Sequence, residues 1–154
     1  MSKGKINILY VDDEQNNLIS FKATFRLKYN VLTAISGEEA RKMLDEHDVH
    51  VIITDQRMPG MTGVEFLESI LEQHPDQMRI LLTGFADMNA VIDAVNKGKI
   101  FHYLSKPWNE QELDDTIQRA YKVYLEKKEE EEAKKKLTVS NSQLEFLLRQ
   151  KLLS

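Results

Sequence analysis

Apolar runs of strand length recur five times along the chain, at residues 6–11, 31–34, 49–54, 79–82 and 100–104, and each is followed by a stretch of helical period. This is a fivefold alternation of strand and helix. The runs at 6–11 and 49–54 are almost continuously apolar, as expected of strands covered by helices on both faces of a parallel sheet. The pattern predicts an α/β domain with a doubly wound parallel sheet.

Helix starts are marked by spacing. Ser36 with Glu39, Thr62 with Glu65 and Asn109 with Glu112 each place a capping oxygen three residues before an acid. Pro59-Gly60 follows the third strand, His74-Pro75 is expected to close the third helix, and Gly98 to end the fourth. Beyond residue 125 the pattern changes. Residues 126–136 hold only Glu, Lys and one Ala, with Glu130/Lys134, Glu131/Lys135 and Glu132/Lys136 in the favourable i,i+4 order, each worth roughly 0.2–0.5 kcal/mol. Such a run supports a solvated helix and gives it nothing to dock with. Leu137, Asn141, Leu144 and Leu148 then follow at alternating steps of four and three, a short coiled-coil-like seam with Asn at one a position. A single continuous helix is the preferred reading. Ser140 with Gln143 also has capping-box spacing, so a break near Ser140 is the alternative.

Composition narrows the function. The 154 residues, 42% apolar and 30% charged, allow one well-buried domain and exclude two of ordinary size. The absence of cysteine removes disulfides, thiolate nucleophiles and sulfur-ligated zinc, and fits a reducing compartment. A net charge of -4 offers no basic footprint for direct nucleic-acid binding. No apolar run reaches the roughly 18 residues of a membrane span, and the first residues lead into no signal-peptide core, so a cytoplasmic protein without membrane insertion is expected. His47, His50, His74 and His102 lack metal-ligand spacing and are read as surface or packing residues. Trp108 is expected to fill the space between its loop and the fifth helix.

In an open α/β sheet, chemistry gathers beyond the carboxyl ends of the strands. There the chain carries Asp12, Asp13 and Glu14 after the first strand, Asp55 after the third, Thr83-Gly84 after the fourth and Lys106-Pro107 after the fifth. If the first and third strands are neighbours, Asp12, Asp13 and Asp55 crowd together, and crowded carboxylates raise their pKa values or recruit a cation. Oxygen ligands alone favour magnesium, or manganese.

The acidic pair, Asp55 followed by Met58-Pro59-Gly60, Thr83, and Lys106-Pro107 together resemble the receiver domain of bacterial two-component response regulators, over residues 5–125, with 126–154 as a charged helical spacer and coiled-coil-like tail. That resemblance implies a flavodoxin-like sheet of order 2-1-3-4-5 with an extended C-terminal helix. It implies Asp55 as phosphoacceptor, with magnesium held by Asp13, Asp55 and the Arg57 backbone carbonyl, and by Asp12 through water. Lys106 would neutralise phosphoryl oxygens, Thr83 would hydrogen-bond them, and Tyr103 would swing inward and alter the face around the fourth helix, fifth strand and fifth helix. The implied partners are a sensor histidine kinase or phosphotransfer protein, and a second copy of the chain through the C-terminal helix. The domain would signal rather than turn over a substrate, catalysing only its own phosphotransfer and dephosphorylation.

Gly84 stands where the family more often has alanine, and Arg57 holds a variable position. Residues 82–87 with Lys106-Pro107-Trp108 are similar to receivers that precede HD-GYP or transcriptional-activator outputs. Two rival readings share the acidic cup. A degenerate receiver would serve only as a dimerisation scaffold. A magnesium-dependent aspartyl phosphohydrolase would want a second acid where Arg57 sits.

Overall fold

Strands apolar on both sides need cover on both faces, and the chain supplies it. The computed structural model describes residues 4–153. Its elements run β1 (Asn7–Val11), α1 (Gln15–Phe25), β2 (Asn30–Ala34), α2 (Gly37–Glu46), β3 (Val51–Asp55), α3 (Gly63–Ser69), β4 (Met78–Thr83), a 3-10 turn (Phe85–Asp87), α4 (Met88–Asn96), β5 (His102–Ser105) and α5 (Glu110–Leu153). The five strands are parallel, in the order β2-β1-β3-β4-β5. The alternation predicted the doubly wound parallel sheet, and the resemblance its flavodoxin-like order.

Every residue of β1 and β3 is buried, which explains their lack of polar alternation. Leu9, Val11, Ile52 and Leu81 pack with Phe66, Leu67 and Val91 in one core cluster. The alternate positions Ile8, Tyr10, Ile53 and Ile80 are buried too, by the two-residue period of a strand. Tyr10 stacks on Phe21 of α1, with ring centroids 4.1 Å apart. Leu113, Ile117 and Ala120, on one stripe of α5, are fully buried.

The three sequence-read caps are all made. Thr62 and Glu65 form a reciprocal capping box, each bond 3.1 Å. The Ser36 hydroxyl accepts from Glu39 N at 3.1 Å, and Asn109 Oδ1 accepts from Glu112 N at 3.0 Å. Gly98, at φ +73°, ends α4: its N–H reaches Val95 O and that of Lys99 reaches Ala94 O, a pairing that needs a left-handed residue. The third helix differs from expectation. It ends at Ser69, well before His74-Pro75, where the Ser69 hydroxyl donates to Phe66 O and the chain continues in turns.

The chain divides into two units, Met1–Tyr121 and Lys122–Ser154, with the boundary inside α5. In the second unit the helix runs unbroken past Ser140. No glycine or proline interrupts it, and the Thr138 hydroxyl bonds back to Lys134 O within the helix. Lys128 and Glu131 pair at 3.8 Å. No helix among the described residues is long and apolar enough to cross a membrane.

One histidine is held neutral by a backbone bond. Asn7 N donates to His50 Nδ1 at 3.0 Å, which requires that nitrogen to be unprotonated, and burial lowers the pKa of His50. Burial also lowers His102, with the nearby Arg119 charge adding to it. Both depressions act in the same direction. Below the ordinary histidine value of about 6.5 the unfolded chain takes up protons that the fold refuses, so these groups lower stability as pH falls through that value. The urea midpoint is expected to drop between pH 7 and pH 5, and His50→Gln to flatten that slope.

Candidate functional site

Parallel pairing brings the acids together. Val11 lies opposite Thr54 in the β1–β3 ladder, so the residues that follow, Asp12 and Asp55, emerge side by side at the carboxyl edge of the sheet. Carboxylate oxygens of Asp12, Asp13 and Asp55 all lie within 4.8 Å of one another. Asp12 is fully buried, Asp55 nearly so, and Asp13 half-exposed. Lys106, on the loop after β5, places Nζ 2.5 Å from Asp55 Oδ1. Its own N–H donates to Thr83 O, which ties the lysine loop to the end of β4.

Burial raises the pKa of Asp55. The Lys106 ammonium opposes that shift, and the Asp12 charge adds to it. The cup therefore carries more negative charge than one lysine balances. Its donor set, carboxylates only, is that of a hard divalent cation such as magnesium.

Asp12 is fixed by three donors: the Tyr10 hydroxyl at 3.0 Å and Asn17 Nδ2 at 3.1 Å on Oδ2, and Glu14 N at 3.0 Å on Oδ1. Burial, followed by the Asp12 carboxylate, pushes the Tyr10 phenol far above its ordinary pKa, so it stays a donor. At β3 the floor is set by α3. Gln56, the residue after Asp55, accepts Gly63 N on its carbonyl and Val64 N on its side chain, both at 2.9 Å. Gly63 lies so close to the Asp55 carbonyl that a Cβ there would sit 2.3 Å from the oxygen.

Other sequence-read residues lie around the cup in different relations to it. Thr83 is fully buried at the end of β4, and its hydroxyl donates to Gly84 O at 3.1 Å rather than to Asp55. Tyr103 is half-buried, packed against the core cluster, with its ring 5.9 Å from that of His102. Arg57 turns its side chain outward to Asp87, at 2.9 Å. Gly84 has open space where a Cβ would stand, so its departure from alanine has no steric cause. Trp108 packs on Phe21 and Phe25 of α1, with centroids 6.0 and 5.8 Å away, contacts with the first helix that the sequence reading did not include.

Tyr10, Asn17, Gln56 and Gly63 were not singled out from sequence. Tyr10 carried a signal, since a residue two before Asp12 on one strand faces the same way. Asn17, Gln56 and Gly63 act through contacts that exist only once the elements have packed.

A doubly wound sheet with an acidic cup and a lysine at its carboxyl edge defines a class of α/β signalling domain. Residues 8–118 match the response regulator receiver domain, and the chain belongs to that family, the receivers of two-component systems. The hydrogenase transcriptional regulatory protein HoxA of Cupriavidus necator is 41% identical over 120 residues, 78% of this chain and 25% of that protein. The transcriptional regulatory protein ZraR of Salmonella typhimurium is 31% identical over 121 residues, 78% of this chain and 27% of that one. The chain thus spans about a quarter of the length of these relatives. Among solved structures, the signal receiver domain of an HD domain-containing protein from Pseudomonas fluorescens Pf-5 superposes with a TM-score of 0.74 at 32% identity, over 79% of this chain and 98% of that one.

Proposed function

We propose that this receiver accepts a phosphoryl group on Asp55 from the phosphohistidine of a sensor histidine kinase or phosphotransfer protein, in a reaction that depends on magnesium or manganese. The observation that carries the reading is the cup itself: three carboxylates within 4.8 Å, with Lys106 on the Asp55 oxygen. An Asp55 oxygen forms the bond to phosphorus while the P–N bond breaks, and the donor imidazole keeps the electron pair and takes up a proton. Anion approaches anion in this step, and Lys106 offsets part of that repulsion from a fixed position. Asp13, Asp55 and the Arg57 carbonyl would hold the metal directly, and Asp12 through water. When bound, the ion supplies charge neutralisation for the phosphoryl oxygens.

Thr83 supports a switch. Its hydroxyl bonds to the neighbouring carbonyl of its own loop, a bond exchangeable for a stronger one to an anionic phosphoryl oxygen. That exchange would draw the loop after β4 inward, and half-buried Tyr103 would follow into the space released. The face formed by α4, β5 and α5 is then the signalling surface.

The test is beryllofluoride with MgCl2, followed by the fluorescence of Trp108, the chain's single tryptophan. A saturable change that requires both reagents supports the reading, and its absence removes it. Steady turnover of a generic phosphomonoester would promote the phosphohydrolase instead.

The tail supports pairing with a second copy. Leu137, Leu144 and Leu148 are each about 60% exposed on one stripe of the helix, and Asn141 on the same stripe favours two parallel strands. Sedimentation is expected to give a dimer, and Leu144→Glu with Leu148→Glu to give a monomer whose Trp108 response to beryllofluoride persists.

A further inference from the structure

Asp12 is a fully buried carboxylate held by three donors. Two donors meet at Oδ2, from Tyr10 and Asn17, and the Glu14 amide meets Oδ1, so three of about four acceptor directions are used. About one direction is left. The carboxylate cannot rotate without breaking a buried bond, and the carboxylates of Asp13 and Asp55 crowd it within 4.8 Å. Tyr10 is itself buried, 1% exposed, and its ring lies parallel to that of Phe21, with 3° between the planes. Hydrogen bonds that orient an acidic group beside a cation tune affinity for the ion without touching it.

We propose that Tyr10, assisted by Asn17, is a positioning residue for the divalent cation, setting its affinity by fixing the Asp12 carboxylate. This rests on the reading of the acidic cup as a magnesium site. Tyr10→Phe isolates the claim, because it removes one hydroxyl and keeps the stacked ring. Asn17→Ala removes the other donor on the same oxygen and does not depend on the ring.

The experiment titrates the full chain, unphosphorylated, with MgCl2 followed by Trp108 fluorescence and with MnCl2 followed by the loss of the free-ion paramagnetic resonance signal. Each variant is expected to raise the half-saturating concentration on the order of tenfold and to keep the native plateau. Phosphorylation by acetyl phosphate should be slow in Tyr10→Phe at low magnesium and return to the native rate at saturation. Midpoints equal to the native one in both variants overturn the inference and leave the magnesium reading intact. A slow rate that saturating magnesium does not restore overturns it as well, since a loss of packing alone would behave that way. No saturable binding of either ion to the native chain removes the magnesium reading, and the inference with it.

Discussion

Asp55→Asn is expected to abolish phosphorylation by acetyl phosphate or by a histidine kinase, with labelled phosphate on the chain falling at least about a hundredfold, while the protein becomes slightly more stable. The two effects have one origin. The amide is not an anionic nucleophile and cannot form the acyl phosphate. It also removes a charge that the metal-free fold holds at a disadvantage, since burial and the nearby Asp12 raise the pKa of Asp55 above its ordinary value despite Lys106. The sign follows from that direction. A carboxyl with a raised folded pKa binds its proton more tightly in the fold than in the open chain, so its ionisation lowers stability as pH rises through the folded value. Above that folded value the aspartate is ionised and the asparagine escapes the penalty. The melting temperature without metal should therefore rise by on the order of a few degrees, and the gap should close toward pH 4. Loss of labelling with a lowered melting point would mean a damaged fold rather than a missing nucleophile.

Gly63→Ala is expected to lower stability by about 2–4 kcal/mol and to weaken labelling at Asp55 at the same time. The added Cβ would stand 2.3 Å from the Asp55 carbonyl oxygen and 2.8 Å from Leu81 Cδ1. Leu81 can change rotamer. The carbonyl cannot move, because Asp55 is paired with Leu82 in the sheet and its oxygen already accepts the Thr54 hydroxyl at 3.0 Å. The first turn of α3 must withdraw instead, which lengthens the bonds from Gly63 and Val64 to Gln56, the residue next to the phosphoacceptor. Gly84→Ala is the control, because a Cβ there meets open space. A urea titration of both variants decides the matter: equal midpoints would show that α3 is free to shift.

These two glycines show where a sequence is legible and where it is not. Both lie near the site, neither has a positive φ, and only the packed structure tells which of them touches a backbone. The acids and Lys106 were legible because they lie at or just past the ends of apolar runs, and the ends of parallel strands are where such a fold gathers its chemistry. The helix caps were legible for a similar reason. A cap is a bond between residues three apart, so spacing alone reveals it, as it did for Ser36, Thr62 and Asn109. The end of α3 was not, since Ser69 stops the helix through one local bond while His74-Pro75 carries the stronger punctuation.

By itself the sequence determined the alternation of strand and helix, the helix starts, and the acids and the lysine at the strand ends, because each depends on a period or on a neighbour along the chain. The tertiary structure alone decided what surrounds them. It brought Asp12, Asp13 and Asp55 together through the pairing of β1 with β3, and set Tyr10 and Asn17 on Asp12, Gly63 against the Asp55 carbonyl and Trp108 on Phe21 and Phe25 of α1. The contacts of Gly63 and Trp108 join separate elements that only the packing of the helices onto the sheet could bring together, whereas Tyr10 and Asn17 lie within five residues of Asp12 and meet it through the side-chain directions of the folded chain.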